Sequence, residues 1–271
     1  MLPSFFTFSQ SSLQDYSDCP RRFRLRYIER LVWPAIEAEP ALEHERHQEE
    51  GLLFHRLAQQ YLLGLPAESL TSLANTPTLT RWWENFLRFA RDPRGLAASP
   101  GLILRPEHIL SAPLGEHRLI AKYDLLAIGE DGKATIFDWK TYRKRPRNEH
   151  LAARWQTRLY RALLAQAYPS FAPERIEMVY WFTEFPEEPA RFLYNEAQYR
   201  RDWDSITRLV EEITTATDFP MTEEVTRCRF CTYRSYCDRG VEAGPWDESL
   251  AEEEESTEFD INFEQIAEIE F

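Results

Sequence analysis

The sequence lacks the features that mark membrane-spanning, secreted and low-complexity proteins. No run approaches the roughly 18 consecutive apolar residues that a membrane-spanning helix needs. The opening segment, MLPSFFTFSQ, has neither the basic region nor the small-residue cleavage site of a signal peptide. Hydrophobic residues make up 43% and charged residues 28% of the chain, which is ordinary globular usage and excludes collagen-like and disordered classes. We therefore expect a soluble, cytoplasmic protein with no membrane partner.

Lysine is scarce, and the acidic charge is concentrated at one end of the chain. There are 4 lysines against 28 arginines, and the formal net charge is −13. Residues 247–271 hold 11 of the 45 acidic residues and no lysine or arginine, so we expect an acidic tail there. Large apolar residues are interleaved in this tail. Either it is a disordered, solvated segment, or it docks on a protein partner or in a basic groove of its own chain.

The basic residues of the remaining chain form two blocks. Residues 19–30 hold five arginines and one acidic residue, and residues 140–158 hold seven basic residues and one acidic residue. Either block alone is typical of a solvated helix face. Together, on a nearly neutral body, the two blocks favour a phosphate-binding groove for nucleic acid, where aromatic side chains could stack on bases.

Apolar periodicity changes along the chain from helical to strand-like and back. Helical spacing predicts helices at 9–31, 41–63, 78–91, 149–167 and 197–216. Period-two patterning predicts strands at 105–112, 117–128, 133–141, 175–184 and 190–194. The central order of helix, three strands, helix and strand predicts an α/β fold around one mixed sheet. We expect one domain over residues 1–246.

The predicted hairpin over residues 119–141 brings acidic side chains together. Its turn at 129–132 puts Asp124 and Asp138 within one residue of being directly opposite, close enough to share a divalent cation. Asp138 and Lys140 project from the same face of a strand whose two faces both have buried character. A buried aspartate and lysine are costly unless something binds them. The alternative is a buried Asp–Lys ion pair beside an unrelated surface aspartate.

Two further features favour a metal site over that alternative. His55 lies at the apolar end of a predicted helix, where it is either a core histidine or a third metal ligand. Gln156 and Tyr160 lie one turn apart on the helix after the strands, either as a half-buried polar flank or as support for the site. Such a set suits phosphodiester hydrolysis, in which carboxylates hold Mg²⁺ or Mn²⁺ and a lysine orients the attacking water or stabilises the developing charge.

All four cysteines fit a single metal site. Cys228, Cys231 and Cys237 form a compact C-x2-C-x5-C group, and Cys19 lies far upstream. In a cytosolic enzyme with no spare cysteine, metal binding is more typical than disulfide formation. The spacing suits either Zn²⁺ or an iron–sulfur cluster.

Together these motifs resemble the RecB-like branch of the PD-(D/E)XK nuclease superfamily. The resemblance extends over about residues 50–165. One cysteine before the nuclease core and three after it also resemble the CRISPR-associated adaptation nucleases and the AddB-type nuclease domains. The family usually has glycine where Ala121 stands, and often where Tyr142 stands. The matching segments are Gly51-x-x-x-His55, Ala121-Lys122-Tyr123-Asp124, Asp138-Trp139-Lys140-Thr141 and Gln156-x-x-x-Tyr160.

The resemblance implies a fold and a set of roles. It implies a restriction-endonuclease-like mixed sheet at about residues 50–195, closed by a cysteine-rich clasp of residues 9–31 and 226–240. A 4Fe–4S cluster is implied at the four cysteines, with structural Zn²⁺ as the alternative. The implied metal ligands are His55, Asp124, Asp138 and the Trp139 carbonyl. Lys140 would serve the nucleophilic water, and Gln156 and Tyr160 would support the site and the nucleic acid.

The favoured function is therefore a Mg²⁺- or Mn²⁺-dependent deoxyribonuclease. We expect an exonuclease that acts on single strands or ends, in DNA repair and recombination or in CRISPR adaptation. A second hypothesis is a non-catalytic DNA-end-binding or assembly subunit that keeps the nuclease fold, although the intact His, Asp, Asp and Lys set argues against it. A third is a Zn-stapled interaction domain, which a colourless purified protein would support.

Overall fold

One mixed sheet of six strands organises the part of the chain that the computed structural model describes, residues 2–3, 5–31, 39–92, 95–96 and 101–242. The strands are β1 Thr7–Phe8, β2 Ile103–Leu114, β3 His117–Ile128, β4 Ala134–Lys140, β5 Ile176–Phe182 and β6 Ala190–Leu193. The helices are α1 Gln10–Asp18, α2 Pro20–Phe23, α3 Glu39–Leu62, α4 Ala67–Thr71, α5 Pro77–Arg91, α6 Asn148–Ala153, α7 Trp155–Ala167, α8 Glu196–Thr215 and α9 Arg234–Cys237. The acidic tail predicted at 247–271 lies outside the described residues.

The strand order confirms the predicted mixed α/β fold. The sheet runs β1-β3-β4-β5-β6, and β2 pairs along the other edge of β3. β4 and β5 are parallel, whereas β3 pairs antiparallel with β2 and with β4. The last pair of the β3–β4 hairpin joins Leu125 to Phe137. One residue further along this register, Asp124 and Asp138 are directly opposite.

Helices cover both faces of the sheet, each over its own hydrophobic cluster. One cluster joins α1, α7 and α8 to the sheet face that carries Ile136 and Tyr180. The other joins α3 and α5 to the face that carries Trp139 and Trp181. The polar side chains described below therefore lie between two apolar layers. None of the helices in the described ranges is both long and apolar enough to cross a membrane.

The helix predicted over 9–31 is interrupted at Cys19. Ser9 caps α1, since its side chain accepts a hydrogen bond from the Ser12 amide, and α1 ends at Asp18. Cys19 is extended, with φ −163°, and α2 starts at Pro20. A residue before proline is disfavoured in the helical region, while proline suits the first helical turn. Residues Arg24–Ile28 then form a wider π-helical turn.

The helix predicted over 149–167 is also interrupted, at Arg154. This residue is extended, with ψ 146°, and separates α6 from α7. The first amide of α7, from Trp155, donates instead to Gln14 Oε1 on α1 at 3.3 Å. The hydrogen-bond acceptor for the first amide of α7 thus comes from a distant element. For this reason no local sequence signal predicted the break. As a result, Gln156 lies in the first turn of α7.

Candidate active site

Three potential metal ligands from three different elements converge at the middle of the sheet. One ligand atom each from His55 on α3, Glu107 on β2 and Asp124 on β3 lie within 4.8 Å of one another. His55 Nδ1 is 3.3 Å from Asp124 Oδ1, and both side chains are buried. An imidazole nitrogen and carboxylate oxygens at this spacing can hold a divalent cation.

A close helix–strand approach brings His55 to the sheet. Gly51, one turn before His55, packs against the end of β4. A β-carbon at Gly51 would come within 3.3 Å of Thr141 Oγ1, which is tighter than ordinary packing. One turn further back, His47 Nε2 lies 3.0 Å from the Thr141 carbonyl oxygen. The glycine of the Gly51-x-x-x-His55 motif thus lets α3 lie against β4.

Asp124 lies at the point where β3 and β4 stop pairing. Its Oδ2 accepts a hydrogen bond from the Trp139 amide at 2.6 Å, just beyond the last ladder pair. The N–H and C=O of one strand residue point toward the same neighbouring strand. The Trp139 carbonyl, predicted as a metal ligand, therefore also faces the Asp124 side.

Asp138, Lys140 and Gln156 form a second polar group on the α7 side of the sheet. Lys140 Nζ is 3.0 Å from Asp138 Oδ2, and Gln156 Nε2 donates to Asp138 Oδ1 at 2.8 Å. All three residues are at least 97% buried. Among the described residues, the potential metal ligands whose atoms lie within 4.8 Å of one another are His55, Glu107 and Asp124, and Asp138 is not one of them. The structure thus places Asp138 beside its lysine, and outside the group that His55, Glu107 and Asp124 form.

Tyr160 is enclosed next to Gln156. Burial raises the pKa of its hydroxyl well above the usual value, and the negative charge of Asp138 raises it further. This phenol therefore stays protonated and can only act as a neutral hydrogen-bonding group. The Tyr160 carbonyl accepts a hydrogen bond from Tyr123 at 2.9 Å, which ties α7 to β3.

Glu107 belongs to none of the sequence motifs, and the structure places it within the site. It lies in the β2 register between residues paired with Leu125 and Tyr123, opposite Asp124. Its φ is 53°, a left-handed conformation that is strained for glutamate. Near it, side-chain alternation reverses, since Tyr123 and Leu125 belong to clusters on opposite faces. The irregular strand therefore directs both carboxylates toward His55.

Glu107 is partly buried and lies among charged groups. Burial raises the pKa of Glu107, and the charge of Asp124 raises it further, while the ion pair with Lys122 opposes both effects. A bound divalent cation would favour the ionised form in the same way as Lys122 does. The two carboxylates and the histidine thus fit a cation.

The four cysteines lie together in a second site between the N-terminal and C-terminal segments. All four line one pocket together with Arg22. The Thr222 amide donates to Cys19 Sγ at 3.4 Å. Burial raises the pKa of Cys231 to about 11, although the charge of Arg22 opposes the increase. The structure thus brings Cys19 next to the C-x2-C-x5-C group.

A cavity of about 340 Å³ lies between the cysteine site and the active site. Its wall includes Gln156, so it opens beside Asp138. The Tyr233 hydroxyl donates to the Leu31 carbonyl at 3.0 Å and holds the C-terminal segment over it. The Gln10 Oε1 atom in its wall is buried and has no hydrogen-bond partner among the described residues. The arginines that line the cavity are Arg22, Arg26, Arg154 and Arg227.

Comparison with known families identifies the class of protein. The model of the PD-(D/E)XK nuclease superfamily matches residues 7–238, and the chain belongs to this superfamily. It is thus a nuclease by family, and the acidic site around Asp124 is of the kind that holds the divalent metal ions of these enzymes. No curated protein matches the chain in sequence.

Solved structures that are similar to the chain are distant in sequence. A Eubacterium rectale protein proposed to be an exonuclease is 11% identical, with a TM-score of 0.51 over 87% of this chain and 89% of its own. The structure of SSO0001 is 14% identical, with a TM-score of 0.43 over 89% of this chain and 90% of its own. At 11% identity, the similarity to the Eubacterium rectale protein concerns the fold alone.

Proposed function

We propose that this protein is a metal-dependent deoxyribonuclease that cleaves single strands or free ends as an exonuclease. The observation that carries the proposal is the convergence of His55, Glu107 and Asp124 next to the Asp138–Lys140 pair. When bound, a Mg²⁺ or Mn²⁺ ion would supply Lewis acidity to the scissile phosphate. The residues that would hold this ion are His55, Glu107, Asp124, Asp138 and, through its carbonyl, Trp139.

Lys140 provides the positive charge that hydrolysis needs near the phosphate. Its ammonium is held between Asp138 and the rings of Tyr142 and Tyr180, at 5.6 and 5.7 Å from the ring centroids. A lysine fixed in this way can orient the attacking water and stabilise the charge that develops on the phosphate oxygens. Gln156 holds Asp138 by a hydrogen bond, so that the carboxylate keeps its direction.

The cavity beside Gln156 supports a single-stranded substrate. The cavity of about 340 Å³ has room for individual nucleotides. Arg22, Arg26 and Arg227 pair with Asp15 or Asp18 in the same wall. Arg154 can contact a phosphate, and Trp155 offers an aromatic ring for stacking. Arg154→Gln should weaken single-strand binding and lower its salt dependence by about one phosphate contact. Arg81→Gln is the matched control, because Arg81 pairs with Glu184 at the surface.

We further propose that the four cysteines hold a 4Fe–4S cluster. In a four-cysteine Zn²⁺ site with bonds of about 2.3 Å, tetrahedral geometry puts the sulfurs about 3.8 Å apart. Among the described residues, no three cysteine sulfurs lie within 4.8 Å of one another. The choice of a cluster, in which each thiolate would bind a different iron, rests on the resemblance of the cysteine arrangement to the iron–sulfur nucleases. The role of the cluster is structural, closing the clasp between Cys19 and residues 226–240.

The pathway follows from the resemblance of the motifs alone. A cluster-containing nuclease of the RecB-like branch fits DNA repair and recombination or CRISPR adaptation, and both supply DNA with free ends. The alternative function is a non-catalytic subunit that binds DNA ends or assembles a larger complex. The intact set of His55, Asp124, Asp138 and Lys140 favours catalysis over that alternative.

One experiment tests both sites of the proposal. Protein purified without oxygen should show an absorption band at about 400 nm and should degrade end-labelled single-stranded DNA only with Mn²⁺ or Mg²⁺. Asp138→Asn should keep the band and lose the degradation. A wild-type protein that binds labelled ends but leaves them intact would favour the non-catalytic alternative. A colourless protein with bound zinc would refute the cluster.

A further inference from the structure

Tyr180 contacts two of the proposed active-site side chains at once. It lies on β5 directly beside Asp138 in the parallel register and is fully buried. Its hydroxyl donates to Gln156 Oε1 at 3.1 Å, and its ring lies 5.7 Å from Lys140 Nζ. None of the sequence motifs includes this tyrosine. The Tyr180 hydroxyl therefore lies where it can influence the orientation of Gln156.

The hydroxyl belongs to a short chain of hydrogen bonds that ends at Asp138. Thr157 Oγ1 donates to the Leu151 carbonyl at 2.5 Å and lies 2.7 Å from the Tyr180 hydroxyl oxygen. A carbonyl only accepts, so the Thr157 proton is used there. The single Tyr180 proton is then available for Gln156 Oε1. At the other end of the same amide, Gln156 Nε2 donates to Asp138 Oδ1 at 2.8 Å.

The two ends of the Gln156 amide have opposite requirements. The Asp138 carboxylate, paired with Lys140, only accepts hydrogen bonds and therefore selects the amide nitrogen. The oxygen is left facing Tyr180, where it needs a donor. Without the tyrosine proton, this buried oxygen would be unsatisfied, and the amide would turn away from its present orientation.

We propose that Tyr180 is a positioning residue for the metal site, acting through Gln156 on Asp138. The inference rests on the proposed function of that site. The Tyr180 hydroxyl fixes the Gln156 amide so that Nε2 points at Asp138. The Asp138 carboxylate is thereby held in the orientation that binds a divalent cation. Groups that orient metal ligands in this indirect way typically change metal affinity or activity by about 10- to 100-fold when removed.

Tyr180→Phe isolates the hydroxyl, because it keeps the ring beside Lys140. We expect Mn²⁺, titrated by calorimetry without DNA, to bind about tenfold more weakly to this variant. The Mn²⁺ concentration for half-maximal DNA degradation should rise by the same factor. Tyr194→Phe is the matched control, since it removes another buried hydroxyl, one that donates to Asp202 at 3.1 Å. The two variants should lose similar thermal stability, but only Tyr180→Phe should lose Mn²⁺ affinity.

A double-mutant cycle separates positioning from a general loosening of the core. In a Gln156→Met background the amide is gone, so Tyr180→Phe should cause no further loss of Mn²⁺ affinity. Thr157→Val should lower stability but leave Mn²⁺ binding within about twofold, because the Tyr180 proton still reaches Gln156. The inference is overturned by wild-type Mn²⁺ affinity in Tyr180→Phe, or by an equal loss in both backgrounds. Wild-type protein that neither binds Mn²⁺ nor degrades DNA would refute the proposed function itself.

Discussion

Lys140→Met removes one charge of a buried ion pair while keeping a side chain of similar length. Lys140 Nζ and Asp138 Oδ2 are 3.0 Å apart, and the two side chains are 1% and 4% exposed. With an effective dielectric constant of about 20, charges at this distance attract by about 5 kcal/mol. Losing one partner of such a pair costs about 3–5 kcal/mol of unfolding free energy. Because Gln156 still donates to Asp138, we expect about 3 kcal/mol.

Urea unfolding of metal-free protein measures this loss directly. A loss of 3 kcal/mol corresponds to a fall of about 9 °C in melting temperature for a domain of this size. Lys133→Met is the matched control on the same strand hairpin, since Lys133 is 45% exposed and its buried partner Glu177 keeps an ion pair with Arg191 at 3.3 Å. Pairs with an exposed cation contribute at most about 1 kcal/mol. If Lys140→Met loses no more stability than this control, the argument from burial is refuted.

Metal ions extend the same test to the proposed chemistry. The stability lost in Lys140→Met should return with Mn²⁺, because Asp138 then has a cation beside it again. A ligand at 100 times its dissociation constant adds about 2.7 kcal/mol. Asp138→Asn should gain much less, because it lacks one carboxylate ligand. Both variants should fall below a tenth of wild-type nuclease activity; higher activity in both would place the catalytic site elsewhere.

Three further predictions concern the other features of the chain. Cys19→Ser should abolish the visible absorption band and lower the melting temperature, since the loop that the clasp closes regains its entropy; an unchanged melting temperature would exclude Cys19 as a ligand. Glu107→Gln should weaken Mn²⁺ binding at least about tenfold without loss of fold, and unaltered binding would remove Glu107 from the site. Deleting residues 247–271 changes the net charge from −13 to −2 and should strengthen DNA binding at low salt, an effect that fades as screening shortens to about 8 Å. If the tail docks, replacing Phe259, Phe263 and Phe271 with serine should reproduce the effect of the deletion on DNA binding at unchanged charge. A triple variant that binds DNA like the wild type would show that the tail acts only through its charge.

The hairpin could be predicted because its signals are local. Period-two patterning and the turn at 129–132 set the register, so the opposition of Asp124 and Asp138 was predicted to within one residue. The pairing of Lys140 with Asp138 follows from the same alternation, since both project from one face. The mixed α/β fold was likewise predictable from the order of the elements, and the structure confirms it.

The helix breaks could be predicted only in part. Cys19 is followed by Pro20, a local signal for an extended residue that the apolar periodicity obscured. Arg154 has no such signal, because the amide that begins α7 is bonded by Gln14 from another helix. That break nevertheless decides which turn of α7 carries Gln156 toward Asp138.

The sequence by itself determined the residue types, the hairpin register and the spacing of the cysteines, because each depends on neighbours within a few residues or within one hairpin. Only the tertiary structure decided that Glu107 joins His55 and that Tyr180 holds Gln156. These contacts join elements far apart in the chain. Their distances depend on how helices pack on the two faces of the sheet, and on an irregular strand whose φ of 53° no local pattern encodes.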